Sequence, residues 1–224
     1  MIRQLAFDLS KRPAFDAGNF FVSRSNAQAW AMVTGPALWP AGKLCLVGPT
    51  GSGKSHLAHI WATGEDAVYL PARDVAAFPR PAETLSVVVE DMETLPPAAE
   101  EPLFHLHNHI AATGGRLLLT ADRPPSRWKI ALPDLASRMQ ATALVQIGDP
   151  DDELLFAVIA KHFADRQLSP EPDLIPWLVT RIERSFAAAG QAVAALDAAA
   201  LAQGRDITRA FARAVLDNSV TVTA

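Results

Sequence analysis

Residues 48–55 read Gly48-Pro49-Thr50-Gly51-Ser52-Gly53-Lys54-Ser55, a complete G-x-x-x-x-G-K-[ST] phosphate-binding motif. The apolar run 44–47 precedes the motif and predicts a buried strand. Leu57, Ile60 and Trp61 follow it at helical spacing. A strand, a glycine loop and a helix start form the arrangement that a nucleotide phosphate site requires, because loop N–H groups and a helix N-terminus both attract phosphate oxygens.

The motif assigns a task to individual side chains. Lys54 is expected to reach the β- and γ-phosphates of ADP or ATP, and the Ser55 hydroxyl to ligate Mg²⁺. The expected phosphate-contacting residues are Gly48, Thr50, Gly51, Ser52, Gly53, Lys54, Ser55 and His56.

Acidic and polar residues follow two further apolar runs. Glu90 and Asp91 end the β-branched run 86–91, and we expect Glu90 to hold Mg²⁺, directly or through water, and Asp91 to orient the attacking water. Thr120 and Asp122 come at the end of the run 116–120. Either can sense the γ-phosphate, because ligands bind outside the carboxyl ends of parallel strands, although a solvated turn fits the pattern equally well.

Composition restricts the class of protein. Half of the 224 residues are hydrophobic, the net charge is −4, and there is no basic block, which argues against a protein that grips nucleic acid by itself. The single cysteine, Cys45, falls in an apolar strand without a disulfide partner. Because no run has transmembrane length and the N-terminus does not resemble a signal peptide, we expect a cytoplasmic protein without a membrane contact.

The order of the elements predicts an α/β fold. Strands are expected at 44–47, 67–70, 86–91, 116–120 and 143–147, with helical segments between them, which indicates a five-stranded parallel sheet covered by helices. From Pro150 onward only helices are predicted. The expected organisation is a flexible tail over 1–16, a nucleotide-binding core over 17–148 and a helical unit over 149–224.

An ordered set of motifs resembles the DnaA/Hda family of AAA+ ATPases, over about Phe15 to Leu216. The set comprises Asn19-Phe20-x-Val22-x-x-Ser25-Asn26, the phosphate loop through Leu57, the acid strand, Phe104-His105-x-x-Asn108, Leu118-Leu119-Thr120-x-Asp122-Arg123-Pro124, Leu135-x-Ser137-Arg138 and Pro150-x-x-Glu153-Leu154.

The resemblance implies roles that spacing does not assign. Arg138 matches the family's arginine finger, which completes the nucleotide site of a neighbouring subunit. Arg184 matches the arginine of the helical lid, the sensor 2 residue, with Arg181 as its competitor. The residues expected to cradle the adenine are Phe20, Val22 and Asn26.

The chain departs from the family pattern in three ways. It ends at Ala224, directly after the lid, where DnaA continues into a helix-turn-helix domain. Its N-terminus contains Gln4-Leu5-Ala6-Phe7-Asp8-Leu9, which looks like the peptide that docks on the DNA polymerase sliding clamp, with Gln4, Leu5, Phe7 and Leu9 as the contacts. Glu90 replaces the usual aspartate, and weak intrinsic ATP hydrolysis is therefore expected.

The resemblance thus implies a negative regulator of replication initiation. Such a protein docks on the sliding clamp, meets DNA only through the clamp, and stimulates ATP hydrolysis by DnaA through Arg138; a homodimer is a further expectation. The alternatives are an AAA+ helicase loader, which needs no clamp peptide, and a small phosphate-loop kinase, which leaves Arg138 and the lid without a role.

Overall fold

The structure is a computed structural model that describes residues 20–35, 39–79 and 85–220. The expected clamp peptide, with Gln4, Leu5, Phe7 and Leu9, lies outside these residues.

A five-stranded, all-parallel sheet forms the centre of the described chain, which confirms the predicted α/β fold. The strand order is β2-β3-β4-β1-β5, so that β1 lies between β4 and β5. Helices cover both faces, and β1 is accordingly buried along its whole length and apolar after Lys43. The strands are β1 Lys43–Val47, β2 Val68–Pro71, β3 Ser86–Glu90, β4 Arg116–Ala121 and β5 Ala143–Gln146.

Four helices pack on the two faces of the sheet. Helices α1 (Ala27–Thr34) and α2 (Lys54–Gly64) cover the face that carries Leu46 and Val88. Helices α3 (Glu100–Thr113) and α4 (Pro133–Gln140) cover the opposite face, against Val89. The alternation of side chains along each strand therefore assigns Glu90 and Thr120 to the α2 face, the face next to the phosphate loop.

The last four helices form a separate apolar cluster. They are α5 Asp152–Asp165, α6 Leu174–Val179, α7 Phe186–Gln203 and α8 Arg209–Val220. Asp151 caps α5 by accepting the Leu154 N–H at 2.9 Å, and Ser185 caps α7 by accepting the Ala188 N–H at 3.1 Å. Helix α7 alone among the described helices is long and apolar enough to cross a membrane, but its buried face, including Val193 and Leu196, packs into this cluster.

Two hydrogen bonds join the segment before α1 to the residues that lead into α5. The Ser25 N–H donates to Asp151 Oδ2 at 3.4 Å, and the Gly148 N–H donates to the Ser25 carbonyl at 3.1 Å. The segment that precedes α1 is therefore held where the sheet ends and the last four helices begin.

Candidate nucleotide-phosphate site

The phosphate loop follows the carboxyl end of the central strand. The Gly48 N–H donates to the Ala121 carbonyl at 3.1 Å, and the Ile147 N–H donates to the Val47 carbonyl at 2.7 Å, so the loop is tied to the strands on both sides of β1. Gly51 and Gly53 have φ of 82° and 92°, a left-handed conformation that glycine adopts without steric cost. The loop can therefore curl tightly before α2 begins at Lys54.

Lys54 occupies the hollow of the loop. Its side chain is buried, and its Nζ donates to the Gly48 carbonyl at 2.8 Å and to the Pro49 carbonyl at 3.1 Å. Ser52 Oγ is also buried and has no hydrogen-bond partner among the described residues. A buried cation beside an unpartnered hydroxyl matches the needs of phosphate oxygens, which accept hydrogen bonds and carry negative charge.

The first turn of α2 completes the phosphate-binding surface. No side chain caps this helix within the described structure. Its first N–H groups therefore remain available for an anion, and the helix dipole favours negative charge at this position. Ser55 lies half-buried in the same turn, which is the position that the motif assigns to the Mg²⁺ ligand.

Asp91 lies beside Lys54 at the end of β3. Its φ of 57° ends the strand, and its N–H donates to Thr120 Oγ1 at 3.1 Å. Partial burial and the neighbouring Glu90 raise the pKa of the Asp91 carboxyl, while Lys54 and Arg73 oppose that shift. The carboxylate of Asp91 is therefore within electrostatic reach of Lys54.

The two sensor candidates have different surroundings. Thr120 is fully buried, and its hydroxyl accepts the Asp91 N–H. Asp122 is bonded twice to the Arg123 guanidinium, at 2.9 and 3.0 Å, and these hydrogen bonds lower the pKa of Asp122. Thr120 is thus directly linked to the acid strand, whereas Asp122 is held in an ion pair; the assignment of the sensor stays a prediction.

Glu90 fits a Mg²⁺ ion that keeps most of its water. Glu90 Oε1 is buried and has no hydrogen-bond partner in the described chain. Among the described residues no three His, Cys, Asp or Glu side chains are grouped to hold a metal by themselves. Mg²⁺ in nucleotide sites takes one or two protein ligands together with waters and phosphate oxygens, and Glu90 and Ser55 fit that pattern.

The segment before α1 places an aromatic ring over the loop. If Gly53 carried a Cβ atom, that atom would lie 3.2 Å from the Phe20 ring. It stacks on Trp30 with centroids 5.2 Å apart and meets the edge of His56 at 5.4 Å. Phe20 and His56 are therefore brought to the loop as expected, together with Trp30, which the sequence motifs did not single out.

The other two expected adenine contacts have different environments. The Asn26 amide is buried and bonded within its own segment, because Oδ1 accepts the Ser23 N–H at 2.8 Å and Nδ2 donates to the Phe21 carbonyl at 2.9 Å. Val22 is exposed. In this structure Asn26 shapes the segment that carries Phe20, and its role toward a base stays a prediction.

The helix that begins at Phe186 reaches the phosphate loop. If Gly51 carried a Cβ atom, that atom would lie 3.2 Å from the Phe186 Cβ. Arg184 precedes this residue by two positions and pairs with Asp152 at 2.9 Å, whereas the Arg181 guanidinium lies 5.6 Å from the Trp177 ring centroid. Both arginines are exposed, and Arg184 is nearer in sequence to the loop contact. Phe186 was missed in the sequence because an apolar residue at a helix start has no distinctive pattern.

Arg138 lies at the opposite edge of the sheet. It is exposed on α4, with its guanidinium 5.0 Å from the Phe104 ring centroid. Its electrostatic neighbours are Lys43 and His107. Burial first, and then the charges of Lys43 and Arg138, lower the pKa of His107 to about 4. Lys43 begins β1 and the phosphate loop follows the end of β1, about 16 Å away for a five-residue strand. Arg138 therefore lies near the start of β1, whereas the phosphate loop of its own chain follows the other end of that strand.

Comparison with known proteins shows which solved structures share this fold. No family model matches the sequence. Domain III of the replication initiation protein DnaA from Thermotoga maritima superposes with a TM-score of 0.71 at 16% identity, over 92% of this chain and 97% of that chain. AMPPCP-bound DnaA from Aquifex aeolicus superposes with a TM-score of 0.65 at 18% identity, over 83% of this chain and 65% of that chain.

The chain therefore shares the fold of these DnaA domains, an α/β fold in which a phosphate loop follows the central strand of a five-stranded parallel sheet. In sequence, the chain is 30% identical over 183 residues to an uncharacterized protein of Haemophilus influenzae, which covers 76% of this chain and 79% of that protein. The chain belongs to the same family as this Haemophilus protein.

Proposed function

We propose that the protein is a nucleotide-bound AAA+ regulator of the Hda type, which inactivates the replication initiator DnaA by stimulating its ATP hydrolysis. The observation that carries this proposal is the position of Arg138. An exposed arginine at the edge opposite its own phosphate loop can act on phosphates only in another molecule. An arginine finger acts in this way, because it stabilises the charge that develops on the γ-phosphate during hydrolysis.

The protein's own nucleotide, ADP or ATP with Mg²⁺, is proposed to bind at the phosphate loop. Lys54 would contact the phosphates, Ser55 and Glu90 would hold the metal, and Phe20 and Phe186 would close the loop from two sides. Mg²⁺ when bound neutralises charge on the phosphate oxygens. Intrinsic hydrolysis is proposed to be weak, because Glu90 is one methylene longer than aspartate and Mg²⁺ has strict geometric demands.

The proposed partners are the sliding clamp and DnaA. The support for the clamp is the pattern of Gln4, Leu5, Phe7 and Leu9, whose apolar side chains suit a hydrophobic pocket while the glutamine bonds at its rim. The net charge of −4 favours contact with DNA through the clamp over direct binding. We further propose a soluble, cytoplasmic protein that is able to form a homodimer.

Reconstitution tests this function. Labelled ATP bound to DnaA is followed in the presence of the protein, the sliding clamp and DNA, and each component is omitted in turn. We expect acceleration only when all of them are present. Acceleration without the clamp would remove the docking step from the proposal, and no acceleration in the complete mixture would contradict the regulatory function.

A pull-down separates this function from that of a helicase loader. The protein immobilised through its C-terminus should retain the sliding clamp and not the replicative helicase. Retention of the helicase alone would favour the loader.

A further inference from the structure

Tyr69 lies next to Glu90 on the face of the sheet that carries α2. In the β2–β3 register, Tyr69 is opposite Val88 and Pro71 is opposite Glu90. Because side chains alternate along a strand, Tyr69, Val88 and Glu90 point to the same face, and Tyr69 is two residues before the position opposite Glu90. The Tyr69 hydroxyl oxygen and Glu90 Oε1 are both buried, and neither has a hydrogen-bond partner within the described residues.

Unpartnered polar atoms are costly when they are buried. Each loses its hydrogen bonds to water at a cost of about 1–3 kcal/mol unless a partner replaces them. A phenol is a donor and a carboxylate is an acceptor, so each of these two groups can supply the partner that the other lacks. Burial raises the pKa of the Tyr69 phenol, and the neighbouring Glu90 charge raises it further, which is consistent with their proximity.

The Tyr69 ring also contacts helix α2. The ring lies against His59, with centroids 3.9 Å apart and an interplanar angle of 35°. His59 Nδ1 lies 2.8 Å from the Ser55 carbonyl oxygen. Tyr69 therefore connects the first turn of α2, which carries Ser55, to the end of β3, which carries Glu90.

We propose that Tyr69 is a positioning residue for Glu90: its hydroxyl donates to Oε1 and holds the carboxylate so that the second oxygen is left for Mg²⁺. The hydrogen bond compensates for the extra methylene of glutamate, because it restricts the longer side chain to one orientation. This inference rests on the proposed function in one respect, the Mg²⁺–nucleotide site at the phosphate loop.

The first experiment requires neither metal nor nucleotide. Tyr69 is the only tyrosine in the chain, so protein labelled with ¹³Cζ-tyrosine gives a single NMR signal that reports on the phenol's hydrogen bond. We expect this signal to move in Glu90→Ala and to stay in place in Glu93→Ala, which removes an exposed acid three residues away. An unchanged signal in Glu90→Ala would show that the two groups are not bonded and would overturn the proposal.

The second experiment measures ADP binding by calorimetry with and without Mg²⁺. Tyr69→Phe keeps the ring on His59 and removes only the hydroxyl. The gain in ADP affinity on adding Mg²⁺ should fall about tenfold, since a hydrogen bond to a charged group is lost, while Mg²⁺-free affinity stays at the parent level. Equal losses with and without Mg²⁺ would indicate a merely structural role and contradict the proposal.

Repeating the calorimetry in a Glu90→Asp protein tests whether the effect of Tyr69→Phe depends on the Tyr69–Glu90 contact. In Glu90→Asp the shorter side chain draws the carboxylate back toward the strand and away from the Tyr69 hydroxyl, so adding Tyr69→Phe should cause no further loss. A full tenfold loss in that background would also contradict the proposal. If the parent protein binds no ADP, the proposed nucleotide site fails, and the NMR experiment alone decides the Tyr69–Glu90 contact.

Discussion

Replacing Lys54 by methionine removes the buried cation of the phosphate loop while keeping most of its aliphatic chain. Lys54 Nζ now donates to the Gly48 and Pro49 carbonyls, and in the nucleotide complex it is expected to donate to the β- and γ-phosphates. Two hydrogen bonds to charged groups at about 1.5–3 kcal/mol each give about 3–6 kcal/mol, or a loss of roughly 10²–10⁴-fold in affinity for ADP and ATP.

Calorimetry with ADP and ATP measures this loss, and circular dichroism checks the fold. Lys54→Met leaves two loop carbonyls without a donor, so a lower melting temperature is also expected. The matched control is Lys161→Met, which removes an exposed lysine that pairs with Asp165 on α5, far along the chain from the loop. A folded Lys54→Met protein with the nucleotide affinity of the parent would refute the assignment of the phosphate site.

Two further predictions concern the tail and the start of α5. Changing Gln4, Leu5 and Phe7 to alanine should weaken clamp binding at least tenfold, about 1.4 kcal/mol, in surface plasmon resonance, with nucleotide affinity unchanged; a triple variant that binds clamp as the parent does would exclude the peptide. Asp151→Ala should lower the free energy of unfolding at pH 7 by about 1 kcal/mol, because the Leu154 N–H loses its cap. Burial raises the pKa of the Asp151 carboxyl, but hydrogen bonding outweighs this effect, and the net result is a pKa below 3.8. The carboxylate's contribution to the free energy of unfolding is therefore present above pH 3.8. It is lost as the pH falls through the folded-state pKa. The stability difference between variant and parent in urea should therefore shrink in acid, and a difference independent of pH would contradict the role of the carboxylate.

Local patterns were enough to predict the sheet and the loop. The central strands β1, β3 and β4 are largely buried on both faces, so each contains a continuous apolar run. The phosphate loop was recognisable because its glycines allow the positive φ that other residues rarely adopt. A glycine likewise marks the end of α7, since Gly204 follows its last residue with φ of 60°.

Element ends were less predictable because side chains at the ends bond in alternative ways. Ser23 and Ser25 both fit the sequence pattern of a helix N-cap, but α1 begins at Ala27, since the Asn26 amide bonds to Ser23 and Phe21 and holds a turn there. The acid strand was expected to include Asp91, but its left-handed φ ends β3 at Glu90.

Contacts between distant segments had no sequence signal. Phe186 at Gly51 and Tyr69 beside Glu90 depend on how helices and strands pack, and neither residue belongs to a motif. Candidate site residues could therefore be named from the sequence, whereas the residues that pack around them required the three-dimensional structure.

Single-turnover release of labelled phosphate from DnaA–ATP, with DNA and clamp held constant, tests the central claim most directly. Arg138→Ala and Arg138→Lys should both fail to accelerate release, because a finger arginine supplies about 10³–10⁵ in rate and a lysine lacks its planar fork. The matched control is Arg205→Ala, an exposed arginine over Phe211 at 5.3 Å, which should accelerate release as the parent does. Acceleration by Arg138→Ala at the parent level would contradict the claim that this arginine acts in the nucleotide site of a neighbouring molecule.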